Sequence, residues 1–215
     1  MKIPFLLILF FLQTIIFAQK QDEVIITTNK AKVYASANEK SAIIYELNKY
    51  EVYLIVENYE VDSNWVEIEV QKKVNSITGF IHKSEFQLLD NNPIIKNYEI
   101  IVSFDLVKAT EIEINKNAKI NYGLQVPFEE SYVVKKMNLI CKNTIIEIHK
   151  TYFEDLFNIS FKEGSYTNED NDKFTTYELD NIFYIRHNCS DGAGSYQVTW
   201  VIKDCQIIQR LIDEI

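Results

Sequence analysis

KVYASANEKSAIIYELNKYEVYLIVENYEVDSNWVEIEVQKKVNSITGFIHKSEFQLL, residues Lys32 to Leu89, is the stretch on which the fold turns. Short apolar segments are separated by polar clusters, the pattern of half-buried strands joined by short loops. Trp65 to Val70 alternates most cleanly, with Trp65, Glu67 and Glu69 on one side and Val66, Ile68 and Val70 on the other. Glu51 to Val56 divides in the same way into Val52, Leu54 and Val56 against Glu51, Tyr53 and Ile55. Lys32–Tyr34, Ile43–Leu47, Ile77–Ile81 and Gln87–Leu89 supply further strands, and His82–Phe86 forms a single helical turn. Val24–Thr28, just ahead, reads as a first strand or an extended arm. Together these segments predict a compact barrel of roughly five or six short strands.

Four motifs follow one another in that stretch: Val33-Tyr34-Ala35-Ser36, Ile44-Tyr45-Glu46-Leu47-Asn48-Lys49, Trp65-Val66-Glu67-Ile68 and Gly79-Phe80-Ile81. In this order they resemble the bacterial SH3-like domain, over residues 31–90. That family opens on a Val-Arg-Ser-like segment, ends a strand in leucine before a charged turn, and closes with Trp-x-x-Val and Gly-Trp-Val. Tyr34 stands where the family usually has Arg, and Tyr50 where Gly usually follows the charged turn. The resemblance implies a small barrel used for binding, often to bacterial cell wall, and implies no catalysis. It places the ligand groove between the first long loop and the hairpin loop, at Tyr34, Asn64, Trp65, Phe80 and His82. Trp65 and Phe80 would serve equally well as half-buried wall residues, since aromatics are common in cores.

Outward from this stretch, the leader comes first. Lys2 provides a positive start, Phe5 to Phe17 is an apolar run broken only by Gln13 and Thr14, and Ala18 offers a small residue before a cut. A spanning helix needs about 20 apolar residues, so the run reads as a secretory signal over 1–18, cleaved near Ala18. No second apolar run of spanning length follows. A secreted or periplasmic address in the cell envelope follows from that reading. Removal of 1–18 takes away one lysine and no acid, moving the net charge from −9 to −10. Such a surface opposes nucleic acid and anionic lipid, which need positive charge. It keeps a protein in solution, and it would also steer a basic partner.

The 215-residue chain leaves room for a second domain. Asp90-Asn91-Asn92-Pro93 is polar, and its proline cannot donate a ladder hydrogen bond. It marks the end of a first domain over 23–90 and opens a linker over 91–97. Residues 98–215 are strand-rich again. Ile100, Val102 and Phe104 alternate, and Ile112, Ile114 and Ile120 mark further strands. Met137–Cys141 and Thr144–His149 read as a hairpin across Lys142-Asn143. Thr151–Asn158 is the one good helix candidate, with Thr151 as cap and Glu154 three residues on. Lys162–Lys173 is polar and acidic and reads as a mobile loop. Ile182–Arg186, Ser195–Lys203 and Ile207–Ile212 form a three-stranded meander with Asp204-Cys205 in its second turn. The fold class is thus mainly β: a small SH3-like barrel, then a second antiparallel β-rich (α+β) domain with one short helix.

The three cysteines are Cys141, Cys189 and Cys205, an odd number that cannot all pair within one chain. A strand between Cys189 and Cys205 would hold them roughly 30 Å apart, beyond disulfide reach unless the chain folds back. Cys141 with either partner, or no disulfide, remains open.

Asn188 to Tyr196, NCSDGAGSY, is the most unusual stretch. Its Cys-Ser pair invites comparison with papain-like cell-wall peptidases of the NlpC/P60 type. Those carry Asp-Cys-Ser at a helix start and a histidine well downstream. Here Asn188 precedes Cys189, glycines follow, and no histidine comes after it. His187 lies two residues away on the same expected strand, where pairing needs unusual geometry, and a cysteine without a base stays mostly thiol. Asp191, Gly192, Gly194, Ser195 and Tyr196 read instead as a tight turn between strands, with a second use as a loop presented to a partner's cleft. No metal or cofactor is indicated. His187 with Cys189 is not a zinc pattern, and Glu169, Asp170 and Asp172 lack the spacing of a calcium loop.

Two functional expectations result. One is a non-enzymatic binding protein of the envelope that recognises peptidoglycan or a peptide through its SH3-like domain. The other is an inhibitor or immunity-type protein that blocks a basic cell-wall hydrolase through its C-terminal domain. A cell-wall hydrolase using Cys189 or an acid pair is the remaining alternative.

Overall fold

The computed structural model describes residues 21–56, 63–71, 75–96, 99–109, 122, 131–160, 164–168, 173–189 and 195–214. The expected leader, the segments at Ile112, Ile114 and Ile120, and Glu169, Asp170 and Asp172 lie outside them. The chain is mainly β, in three antiparallel sheets. Among the described residues, no helix is long and apolar enough to cross a membrane.

The first sheet contains β1 (Glu23–Ile26), β2 (Ala31–Tyr34), β3 (Ile43–Leu47), β4 (Val52–Ile55), β5 (Trp65–Val70), β6 (Ile77–His82) and β7 (Phe86–Leu88). Its order is β3-β2-β6-β5-β4-β1-β7. One side of every strand feeds a single core that includes Val24, Val33, Leu47, Ile55, Ile68, Ile81 and Phe86. Seven strands can share one core only if the sheet curls around it. The strands β3 and β7 end the sheet without pairing to each other, so it is curled rather than closed. Gly79 allows the curl: a Cβ there would lie 2.6 Å from Val33 Cγ1 and 2.9 Å from the Tyr34 carbonyl oxygen. A 3-10 turn at Lys83–Glu85, capped by His82, occupies the place expected for a helical turn.

The described residues from 99 onward build a sandwich. β8 (Ile100–Lys108), β9 (Tyr132–Cys141), β10 (Thr144–Glu147) and β11 (Gly164–Thr167) pair in the order β10-β9-β8-β11. β12 (Phe174–Leu179), β13 (Ile182–Cys189), β14 (Tyr196–Lys203) and β15 (Gln206–Glu214) form a four-stranded meander. The two sheets pack face to face, Val102, Phe104, Met137 and Leu139 against Ile185, Val198, Trp200 and Ile202. The meander thus has one strand more than expected, and β11 lies within the segment expected to be a mobile loop. The two-residue turns Lys142-Asn143, Asp180-Asn181 and Asp204-Cys205 all have positive φ at both positions, the geometry that matches strand twist in tight hairpins. Two of these turns are tied by a Cys141–Cys205 disulfide, Cα–Cα 5.7 Å, which links the sheets of the sandwich.

The helix expected over Thr151–Asn158 is not formed. Lys150–Tyr152 makes one 3-10 turn, capped by the His149 side chain. Leu156, Phe157, Asn158 and Ile159 are consecutive and all fully buried. A helix would turn at least one of them to solvent. Leu156 and Phe157 instead bridge to Tyr122 and Val133, and the Asn158 side chain accepts the Tyr132 N–H at 2.8 Å.

The meander is buried on both faces. Its second face, with Tyr177, Tyr184, Val201 and Leu211, packs on Ile25, Val52, Leu54 and Leu89 of the curled sheet. β1 and β4 therefore divide their alternating side chains between two cores: Tyr53 and Ile55 into one, Val52 and Leu54 into the other. Side-chain amides extend the contact. Gln209 bonds both the N–H and the carbonyl of Val52 at 2.7 Å, as a neighbouring strand would. Gln71 bonds the backbone of Ile212 likewise, at 2.6 and 3.4 Å. The connection expected as a linker is packed too: Asn92 is buried, and the Ile95 N–H donates to the Thr176 carbonyl.

Candidate functional site

The outward side of the curled sheet carries the residues singled out by the sequence. β5 turns Val66, Ile68 and Val70 inward, leaving Trp65, Glu67 and Glu69 half-buried outside. β6 turns Gly79 and Ile81 inward and presents Phe80 and His82. Register sets Trp65 opposite His82 and Tyr34 opposite Phe80. Trp65 meets Tyr34 edge-on, with centroids 5.4 Å apart, and meets His82 at 5.2 Å. Such edge-to-face pairs fix ring orientation and contribute about 0.5–1.5 kcal/mol each. Beside them an open pocket of about 350 Å³ is lined by Ala37, Asn38, Glu39, Lys40, Asn64, Trp65 and His82. Four of its walls come from the loop between β2 and β3, and Asn64 and Trp65 come from the end of the hairpin loop before β5. Tyr34, Asn64, Trp65, Phe80 and His82 are thus brought onto one surface, with Asn64, Trp65 and His82 in the pocket itself.

The loop holding the pocket is braced locally. The Lys40 N–H donates to Asn38 Oδ1 at 2.9 Å, and the Ala35 N–H to the Ala42 carbonyl at 2.9 Å. The His82 ring is oriented by Ser84: Nδ1 accepts the Ser84 N–H at 3.3 Å and lies 2.8 Å from Ser84 Oγ. A neutral imidazole that accepts at Nδ1 carries its proton at Nε2, a hydrogen-bond donor for whatever enters. Rings for stacking, an amide at Asn64, an imidazole donor and both signs of charge at Glu39 and Lys40 suit a peptide or a glycopeptide. Ile43 and Glu67 share this surface. The alternation of β5 already put Glu67 on Trp65's side, whereas Ile43 reached the surface only through pairing with Tyr34.

The second departure from the SH3-like pattern has a structural explanation. Tyr50 has φ 76°, a conformation glycine adopts freely and tyrosine does not. Its hydroxyl donates to Asp180 at 2.9 Å, its carbonyl accepts from Tyr184, and the Lys49 and Lys203 ammoniums stand over its ring at 4.5 and 5.7 Å. These contacts with the meander offset the strain.

Of the residues proposed as a partner loop, Asp191, Gly192 and Gly194 lie outside the described residues. Ser195 precedes β14. Tyr196 does not belong to an exposed loop: it begins β14, is 1% exposed and donates to the Phe157 carbonyl at 2.8 Å. A ring with six carbons to bury is held by the core, not by a turn.

His187 and Cys189 do meet, contrary to the sequence expectation. Residues two apart on a strand share a face, and Nδ1 lies 2.8 Å from Sγ. The pair is nevertheless inert. Burial lowers the His187 pKa to about 3, with Lys173 adding to the shift, and burial pushes the Cys189 thiol up to about 12. Both groups are neutral at pH 7, with the thiol proton held against the imidazole. Neither side chain reaches solvent, so Cys189 does not act as a nucleophile.

A buried charge cluster, unforeseen from the sequence, joins the two units. Arg186 donates to Glu23 Oε2 from Nε at 2.8 Å and from Nη2 at 2.5 Å, and from Nη1 to Asp90 and the Tyr177 hydroxyl. Thr199 donates to the other Glu23 oxygen at 2.6 Å. A lone arginine directly after the apolar run Ile182–Ile185 was the only sequence sign of it. Each of the three guanidinium nitrogens donates to another protein group and Arg186 is buried, so the cluster acts as a joint between the units.

Comparison of the chain with protein-family models, curated proteins and solved structures finds no match.

Proposed function

We propose that this chain is a secreted or periplasmic, non-enzymatic binding protein whose SH3-like unit holds cell-wall peptidoglycan or a peptide against Trp65. One observation carries the reading: Tyr34, Trp65, Phe80 and His82 turn outward together beside an open pocket of about 350 Å³. Aromatic side chains left half-exposed on a well-packed sheet cost solvation and recover it by covering a ligand. The inner positions of the same strands show that apolar material was placed in the core where the core needed it.

Co-sedimentation with purified peptidoglycan at low salt tests this. The wild-type chain pellets with the wall, and Trp65→Ala weakens binding by about 1–2 kcal/mol, roughly tenfold. A wild-type chain that stays in the supernatant removes the cell wall as its ligand.

A further inference from the structure

The outer face of the curled sheet is larger than the groove that the resemblance implies. Register sets Ile43 opposite Tyr34, Tyr34 opposite Phe80 and Phe80 opposite Glu67, so one row crosses β3, β2, β6 and β5 in turn. Ile43 is 49% exposed, and the other three are half-buried. Directly opposed side chains on one face stand about 4.5–5.5 Å apart at Cβ. The row is therefore a continuous apolar strip that ends on a carboxylate. Trp65, two residues before Glu67 on the same face, flanks the strip through Tyr34.

The charges on this face are unequal. Lys32 stands opposite Glu46, and Lys40 is next to Glu39 in the loop. Glu67 faces Phe80 and Glu69 faces Thr78, with no cation across from either. Glu67 takes part in no ion pair or side-chain hydrogen bond among the described residues. A carboxylate that is half-buried beside aromatic rings and unpaired is complemented by a cation, whose charge also meets the negative ring faces. A primary ammonium on a hydrocarbon stem fits both parts, the stem lying along apolar side chains and the head reaching the acid.

Resting on the reading that this groove holds a cell-wall peptide, we propose that the occupant presents a free primary ammonium to Glu67, with its stem along Tyr34 and Phe80. A cross-link between wall peptides converts such an amine into an amide and removes its charge. The surface would therefore distinguish peptides with an open amine from cross-linked ones.

The test titrates purified peptidoglycan, native and with its amines acetylated by acetic anhydride, with the secreted full chain and three variants. The wild type binds native wall about three- to tenfold more tightly than acetylated wall. Glu67→Gln, a surface change that keeps the side-chain shape, binds native wall no better than acetylated wall. Glu147→Gln, on the far sheet of the sandwich and paired there with Lys136, keeps the discrimination. This control separates contact at Glu67 from the general repulsion between an acidic protein and a more acidic wall. Trp65→Ala weakens binding to both forms alike, by roughly tenfold. Equal wild-type binding to native and acetylated wall overturns the ammonium inference and leaves the groove reading standing. No binding to either form overturns the reading on which it rests. Discrimination that survives Glu67→Gln overturns the assignment to that residue.

Discussion

Replacing Glu23 by Gln should loosen both halves of the molecule together. The substitution keeps the side-chain shape and removes one charge. In the folded chain Arg186 is 3% exposed and its main partner Glu23 1%, while Asp90, the other carboxylate, is 46% exposed. Two charge-assisted bonds to Glu23 Oε2 would be weakened at once, each contributing about 1.5–3 kcal/mol. Breaking a buried pair by removing one partner costs about 3–5 kcal/mol, because the remaining charge stays in low dielectric. With a urea slope near 3 kcal/mol/M, the upper end for a domain-sized transition, the midpoint should fall by about 1–2 M. The chain contains two tryptophans, which report on different places. Trp65 lies on the outer face of the curled sheet, and Trp200 is fully buried in the sandwich. Urea melts followed by fluorescence in Trp65→Phe and Trp200→Phe backgrounds read the two units separately. Because the meander is packed on both sides, each background should show one transition, and Glu23→Gln should move both by the same amount. A shift confined to the Trp65 signal, or a loss under about 1 kcal/mol, would refute the view that the charged joint makes one cooperative unit.

Three further outcomes follow from the same packing. Gly79→Ala forces a methyl to within 2.6 Å of Val33 Cγ1, 2.7 Å of Ile44 Cδ1 and 2.9 Å of a backbone oxygen. Since the oxygen cannot rotate away, a loss of about 1–3 kcal/mol is expected in a thermal melt, and an unchanged melt would show that the curl is looser than described. Reduction of Cys141–Cys205, which closes a span of 64 residues, should cost about 4 kcal/mol in the chain-entropy account, measured as the urea midpoint with and without reductant. His187 contributes to acid sensitivity. Its folded pKa, about 3, lies below the ordinary value of 6.5, so only the unfolded chain binds this proton between those pH values. Stability from this group is fully present above pH 6.5 and declines as pH falls toward 3, by an amount of order 4 kcal/mol. Stability measured from pH 7 to 3.5 should fall less steeply in His187→Gln than in the wild type; parallel curves would contradict the burial of a neutral imidazole.

Much of the fold was legible because alternation reports on single strands. Ile43–Leu47 and Trp65–Val70 have the bounds that the apolar pattern predicted, and Lys142-Asn143 makes the tight turn its residue types favour. The segments that misled are those where tertiary contacts overrode local preference. Thr151–Asn158 has a cap and an apolar side, yet its residues are buried all round, which a helix cannot arrange. Phe174–Leu179 mixes polar and apolar residues and still forms a strand, because both of its faces are covered.

The sequence by itself determined the mainly β class and the division of side chains between the two faces of the clearly alternating strands, such as Trp65–Val70. These depend on residue spacing along one segment. Only the tertiary structure decided that the meander lies between two cores, that Glu23 and Arg186, far apart in the chain, neutralise one another, that Cys141 meets Cys205, and that burial holds Cys189 as a neutral thiol. Each of these is a pairing between distant segments, or a loss of solvent, and neither is written in the order of neighbouring residues. The row from Ile43 to Glu67 belongs to both: alternation chose its faces, and strand register brought them into line.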